Sequence, residues 1–190
     1  MATYQWLTTD RGKVKACSCM MEWYPLFDKM RIKRGIGKPQ VSQGGYNNGA
    51  VRQSATTHDG GGVLDLGNYS AGIIKLAREM GAAAWHRTPE QGFIHHTHLI
   101  LLKCPHLDGY PPIDPSEPTG AYAQQISYYA GGSGLGGVPN DTEPRPNPQR
   151  DWKQGVAWAK QQLGVTTPTP DPDNPGTQPE VPPDAEGASI

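Results

Sequence analysis

Glycine and proline interrupt this chain throughout, 24 and 19 times in 190 residues. A backbone broken that often does not sustain long regular elements, because proline removes ladder donors and glycine is costly to order. The expected fold class is therefore α+β: a small antiparallel sheet flanked by helices, with long loops and a disordered C-terminal tail. The length suits one domain with a real core. Composition divides the chain at Thr166, since residues 166–190 hold seven prolines and five acids but no Lys or Arg. Such a segment cannot bury a core and reads as a tail or linker to some further module, which sets the boundaries at 1–165 for the folded domain and 166–190 for the tail.

Charge excludes little by itself. The chain is near neutral, but residues 1–165 carry all 17 basic groups against 13 of the 18 acids, a net of +4 with His neutral. That excess is too small to argue for nucleic acid, and none is expected as a partner. No run approaches the ~20 apolar residues of a membrane span, and no basic segment followed by an apolar run opens the chain. The expectation is a monomer made in a cytoplasm without a signal peptide, making no membrane contact. Cys17, Cys19 and Cys104 form an odd set, and Cys17-Ser18-Cys19 lacks the two-residue gap of common zinc knuckles, so they read as reduced, buried cysteines.

Periodicity places the elements. An apolar pattern from Val14 to Met30 predicts a helix that ends near Trp23, where Pro25 intrudes. Gln40 to Val51 reads as a Gly- and Asn-rich loop. Ser70 can cap a helix running to about Trp85, with Ile73, Ala77, Met80 and Ala84 on one face. Phe93 to Lys103 reads as a strand, and Gly120–Ala130 and Trp152–Leu163 as two further helices.

Five of the six histidines fall between His58 and His98, and imidazole is the side chain best suited to bind a borderline metal or move a proton near neutral pH. On a strand, His96 and His98 project to one side and His95 to the other. Asp65, in a short strand-like run, adds an oxygen ligand. His58 lies seven positions before Asp65, and Gly60, Gly61 and Gly62 let the chain turn so that both reach one point. Three protein ligands with an open fourth position is the pattern of catalytic zinc. His58, Asp65 and one of the paired histidines fill it, leaving the other beside the ion to handle a proton. His86, His95 and His106 read as ordinary half-buried imidazoles, Asp59 as a turn residue, and Gly131–Gly137 as a flexible turn rather than a phosphate loop.

These residues resemble a known family. His58 and Asp65 match the His, six residues, Asp element, and His96-Thr97-His98 the His-x-His element, of the LAS metallopeptidases, named for lysostaphin, D-Ala-D-Ala metallopeptidase and sonic hedgehog. Gln43–Tyr46, Ser54–Gly62 and Ala84–Arg87 look like D-Ala-D-Ala carboxypeptidase-like proteins of actinobacteria and their phages. The resemblance covers roughly residues 10–150. It implies one zinc ion held by His58, Asp65 and His98, with His96 as the catalytic histidine. Many relatives carry an acid three residues before the last zinc histidine; His95 stands there in this chain, so the base falls to His96, with Glu90 as the acidic alternative. Gln43, Tyr46, Arg52 and Thr56 lie where the family holds the stem peptide, and Arg52 is the natural carboxylate clamp. The activity implied is a phage-endolysin-like peptidase, an endopeptidase or D,D-carboxypeptidase acting on bacterial peptidoglycan after release from the cell. Two other readings compete. One is a His-hydrophobe-His nicking endonuclease using Tyr128 or Tyr129; the other is a non-catalytic, zinc-stabilised wall-binding or virion module.

Overall fold

A computed structural model describes residues 3–165 apart from 55 and 68; the expectation of a linker at 166–190 lies outside the described residues. The fold is α+β, with helices around two small antiparallel sheets. Strands β1 (Gln5–Thr9) and β2 (Gly12–Ala16) form a hairpin, followed by helix α1 (Ser18–Lys33) and edge strand β3 (Val41–Gln43). Then come β4 (Val63–Leu66), α2 (Ala71–Glu79), β5 (Ala82–Arg87), β6 (His96–Leu101), α3 (Gly120–Tyr129) and α4 (Trp152–Leu163). The larger sheet has the order β3-β4-β6-β5, every pair antiparallel. No described helix is long and apolar enough to cross a membrane.

Several element boundaries differ from the pattern-based reading: the first helix begins at Ser18, since Val14 lies on β2, the expected strand over Phe93–Lys103 is confined to His96–Leu101 and leaves His95 outside it, and two helix ends differ for local reasons. Helix α1 runs through Pro25 to Lys33 instead of ending near Trp23. Proline removes its own N–H and its ring crowds the carbonyl four residues earlier, and the helix is carried past it by burial of Trp23, Tyr24, Leu26, Phe27 and Met30. Trp23 stacks on Phe27 at 4.8 Å, and its indole N–H donates to the Met80 carbonyl at 2.7 Å. The second helix stops at Glu79, not Trp85, because Gly81 takes φ +81° and turns the chain into β5. Residues Gly12–Ala16, Val41–Gln43 and Ala82–Arg87 are strands that periodicity did not single out.

Sheet register decides what faces what. Leu99 pairs with Leu64 on one side and Ala84 on the other, so these three side chains share one face, toward α2, where Ile73, Leu76 and Ala77 are buried. The opposite face carries a row across all four strands: Gln43 pairs with Asp65, Asp65 with His98, and His98 with Trp85. In the next row His96 stands opposite Arg87. A sheet with one apolar face has thus gathered most of its chemistry on the other.

Candidate metal centre

Asp65 and His98 face each other across the β4–β6 pair, where antiparallel neighbours bring their Cβ atoms within about 4.5–5.5 Å. His98 Nδ1 lies 2.8 Å from Asp65 Oδ1. His58 enters from the loop before β4, with its Nε2 3.3 Å from Asp65 Oδ1 and 3.3 Å from His98 Nδ1. The glycine turn brings it there: Gly62 adopts φ +74°, and the Gly60 carbonyl accepts from Tyr46 N–H at 3.0 Å. Asn47 N–H bonds the His58 carbonyl, and Gly45 N–H bonds Lys15 on β2. The hairpin, the 44–47 loop and the glycine turn are therefore zipped together around His58.

Each imidazole has one nitrogen committed to an oxygen acceptor. His58 Nδ1 is 2.8 Å from the Gly44 carbonyl, His98 Nε2 2.7 Å from Gln124 Oε1 on α3, and His96 Nδ1 2.6 Å from the Ile94 carbonyl. Those partners select the tautomers, because a carbonyl or amide oxygen requires N–H opposite it. The remaining lone pairs, on His58 Nε2, His98 Nδ1 and His96 Nε2, then converge on the Asp65 carboxylate, with His96 Nε2 3.6 Å from it. Acceptors packed together in this way call for a cation.

Spacing tests the fit. A tetrahedral ion with bonds of about 2.0–2.1 Å to nitrogen and oxygen sets its ligand atoms about 3.3–3.4 Å apart. Two of the three edges among His58, Asp65 and His98 are 3.3 Å and the third is 2.8 Å. These three residues form a buried group able to hold a metal ion.

The two histidines are shifted in opposite directions, so a metal would have to displace a proton from His58 but not from His98. Burial disfavours the charged imidazole of His58, but the hydrogen bond and charge of Asp65 outweigh it and raise its proton affinity. Burial also works against the Asp65 carboxylate, yet His58 and His98 hold it well below the usual carboxylate range. His98 is pushed down, first by burial and further by the His58 and Arg87 charges, which keeps it neutral as a ligand must be.

The group opens onto a cavity of about 880 Å³. His96 and Gln43 line it with the three metal-ligand candidates, and Gln43 Nε2 donates to Ser54 Oγ at 2.5 Å. The other expected substrate residues stand elsewhere. Arg52 is exposed on a 3-10 turn, Thr56 is exposed with its N–H on Asp59, and Tyr46 is buried behind the glycine turn; none of them lines the cavity. Glu90 is solvent-exposed on the 3-10 turn whose Pro89 lines the cavity, but does not line it itself. His95 lines the rim, its Nδ1 3.0 Å from His86 Nε2, and His86 stacks on Tyr69 at 3.9 Å.

Two residues that pattern did not single out complete the site. Gln124 fixes His98, and in the sequence it is only one polar position of the helix expected over 120–130. Arg87 is 2 % exposed, lines the cavity, donates from Nη1 to the Ser133 carbonyl at 3.0 Å and lies 5.2 Å over the Trp85 ring. Its Nη2 is buried with no hydrogen-bond partner among the described residues. Burial lowers its pKa to about 10, which leaves it charged at neutral pH.

A second donor group lies outside this cavity. Cys17, Cys19, Cys104 and His106 bring their sulfur and nitrogen atoms within 4.8 Å of one another, and all three cysteines are free and buried. Burial agrees with the expectation for these cysteines, but their convergence on His106 was not anticipated, because the two halves are 87 residues apart. No known family model matches the chain, and neither a curated protein nor a solved structure does.

Proposed function

We propose that this protein is a zinc-dependent peptidoglycan peptidase that hydrolyses an amide bond of the stem peptide or cross-bridge, as do the phage-lysin enzymes its motifs resemble. One observation carries the reading. Three adjacent acceptors, His58 Nε2, Asp65 Oδ1 and His98 Nδ1, line a large cleft, and His96 Nε2 stands beside them with its other nitrogen already committed. A bound zinc ion would act there as a Lewis acid and lower the pKa of a water molecule. His96 takes the proton from the attacking water and returns it to the leaving amine. Its Nδ1–H, held by the Ile94 carbonyl, keeps Nε2 available for both transfers. The unpartnered Nη2 of Arg87 is the donor for a substrate carbonyl or carboxylate oxygen. The cavity of about 880 Å³ is large enough to take a short peptide segment.

In this reading the protein acts as a monomer on the wall after its release from the cell in which it is made. The nicking-endonuclease alternative draws no support from the tyrosines. Tyr128 is buried, with its hydroxyl on Gln149 at 2.9 Å, and neither Tyr128 nor Tyr129 lines the cavity.

The test is digestion of purified sacculi by the full chain, followed by mass analysis of the muropeptides. New amino groups are expected, with activity abolished by chelation and restored by zinc. His96→Ala should keep its metal while the rate falls about 10²- to 10⁴-fold. Undiminished lysis after metal removal would sink the proposal. Binding to sacculi without any new amino groups would favour the wall-binding module instead.

A further inference from the structure

We infer that Cys17, Cys19, Cys104 and His106 form a second, structural zinc site, closed by four protein ligands and separate from the cleft. Cys17 stands at the start of α1 and Cys19 in its first turn, whereas Cys104 and His106 follow β6. Each pair has one intervening residue, and the fold apposes the two pairs. A tetrahedral ion with bonds of about 2.3 Å to sulfur and about 2.0 Å to nitrogen sets sulfurs about 3.8 Å apart and sulfur about 3.6 Å from nitrogen. The observed separations are 3.7 Å for Cys17 Sγ to Cys104 Sγ, 3.5 Å for Cys19 Sγ to His106 Nδ1, and 3.7 Å for Cys104 Sγ to His106 Nδ1.

The surroundings fit a metal-thiolate centre. Three soft sulfurs and an imidazole select zinc over hard cations such as magnesium or calcium. The start of a helix favours a thiolate at Cys17. The Tyr46 hydroxyl is buried with no hydrogen-bond partner among the described residues, and it flanks the same spot. A Cβ placed on Gly61 would lie 2.7 Å from that hydroxyl and 2.6 Å from Cys17 Cβ.

The consequence reaches the cleft. Gly61 N–H donates to the His106 carbonyl at 2.6 Å, and a Cβ on Gly62 would sit 2.8 Å from Cys104 Sγ. The turn between His58 and Asp65 therefore rests directly on the cysteine group. A zinc ion there would tie the start of α1 to the segment after β6 and brace the turn that presents His58.

The test reads metal by element, independently of activity. The full chain, reconstituted with zinc under anaerobic reducing conditions, is expected to hold two zinc ions, with X-ray absorption showing sulfur at about 2.3 Å in the averaged shell. The His58→Ala/His98→Ala double variant should retain one zinc with a sulfur-dominated shell. Cys19→Ser should lose one equivalent and the sulfur signal. If Cys19→Ser fails to fold, the double variant and the wild-type spectrum still decide. A wild-type shell of nitrogen and oxygen alone overturns the proposal, as does a Cys17–Cys104 disulfide in the reduced, zinc-loaded protein. Failure of the peptidase reading would leave the sulfur-ligated ion in place, so the two ideas fall separately.

Discussion

At the scale of single residues, the site is governed by which nitrogen each histidine leaves free. His58 and His98 present different nitrogens, Nε2 and Nδ1, because the Gly44 carbonyl and the Gln124 amide oxygen occupy the others. Gln124→Leu removes the acceptor for His98 Nε2–H without touching a ligand. Zinc affinity is expected to fall about 10- to 100-fold, measured by competition with a chromophoric chelator, with the circular dichroism spectrum unchanged. Unaltered affinity would mean that His98 does not depend on Gln124 for its orientation. Arg87 belongs to the same scale. It is a buried cation placed opposite His96 by register; Ala84–Arg87 carries a family resemblance, but nothing in that stretch marks Arg87 as buried.

At the scale of elements, the turn from α2 into β5 is the joint on which the sheet hangs. Gly81 holds φ +81°, and a Cβ there would come within 2.0 Å of the Asp151 carbonyl at the start of α4. A Cβ on Gly155 of α4 would meet the Met80 carbonyl at 1.8 Å. The two backbones pack against each other with no room for side chains. Gly81→Ala is therefore expected to cost more than about 2 kcal/mol, combining left-handed strain with the clash. In a domain of this size that lowers Tm by at least about 4 °C, read by thermal unfolding; an unchanged Tm would show that α4 can give way. The same turn explains why a helix to Trp85 was expected: Met80 and Ala84 continue the helical stripe, and only the glycine between them reverses it.

At the scale of the whole molecule, a buried arginine ties distant segments together. Arg78 of α2 is fully buried, donates to the Ala84, Glu143 and Pro144 carbonyls, and pairs with Asp141. Asp141 also binds Arg145, which lies 4.5 Å over the Tyr128 ring. Arg78→Met would leave three carbonyls without that donor and Asp141 with Arg145 as its remaining cation, at an expected loss of about 3 kcal/mol, measured as a lower denaturant midpoint. Alkaline pH offers a second whole-molecule test. Burial raises Tyr24, Tyr46 and Tyr128 to about 12 each. The unfolded chain releases those protons near 10, so between about 10 and 12 it binds fewer protons than the native state and stability falls as pH rises. The expected observation is a steadily falling Tm across that window, and development of the full phenolate absorbance of all eight tyrosines near pH 10 in the native protein would contradict it.

The order of the motifs and the periodicity of two strands were sufficient to put His58, Asp65, His96 and His98 forward as a set, because ligand chemistry and side-chain alternation are local properties. Helices α3 and α4 were legible for the same reason. What the chain could not show by itself was everything that depends on register and on approach of distant segments. The row Gln43, Asp65, His98 and Trp85 exists only because three antiparallel pairings align it. Arg87 enters the cavity by the same pairing, whereas Arg52, the chemically obvious clamp, remains in solvent on its turn. Spacing led Cys17-Ser18-Cys19 to be read as plain core, since a chelate half contributed by one segment has no meaning until the other half is in place. Tertiary structure supplied Cys104 and His106 from 87 residues away, and metal-ligand geometry is a property of atoms in space, not of their order along the chain.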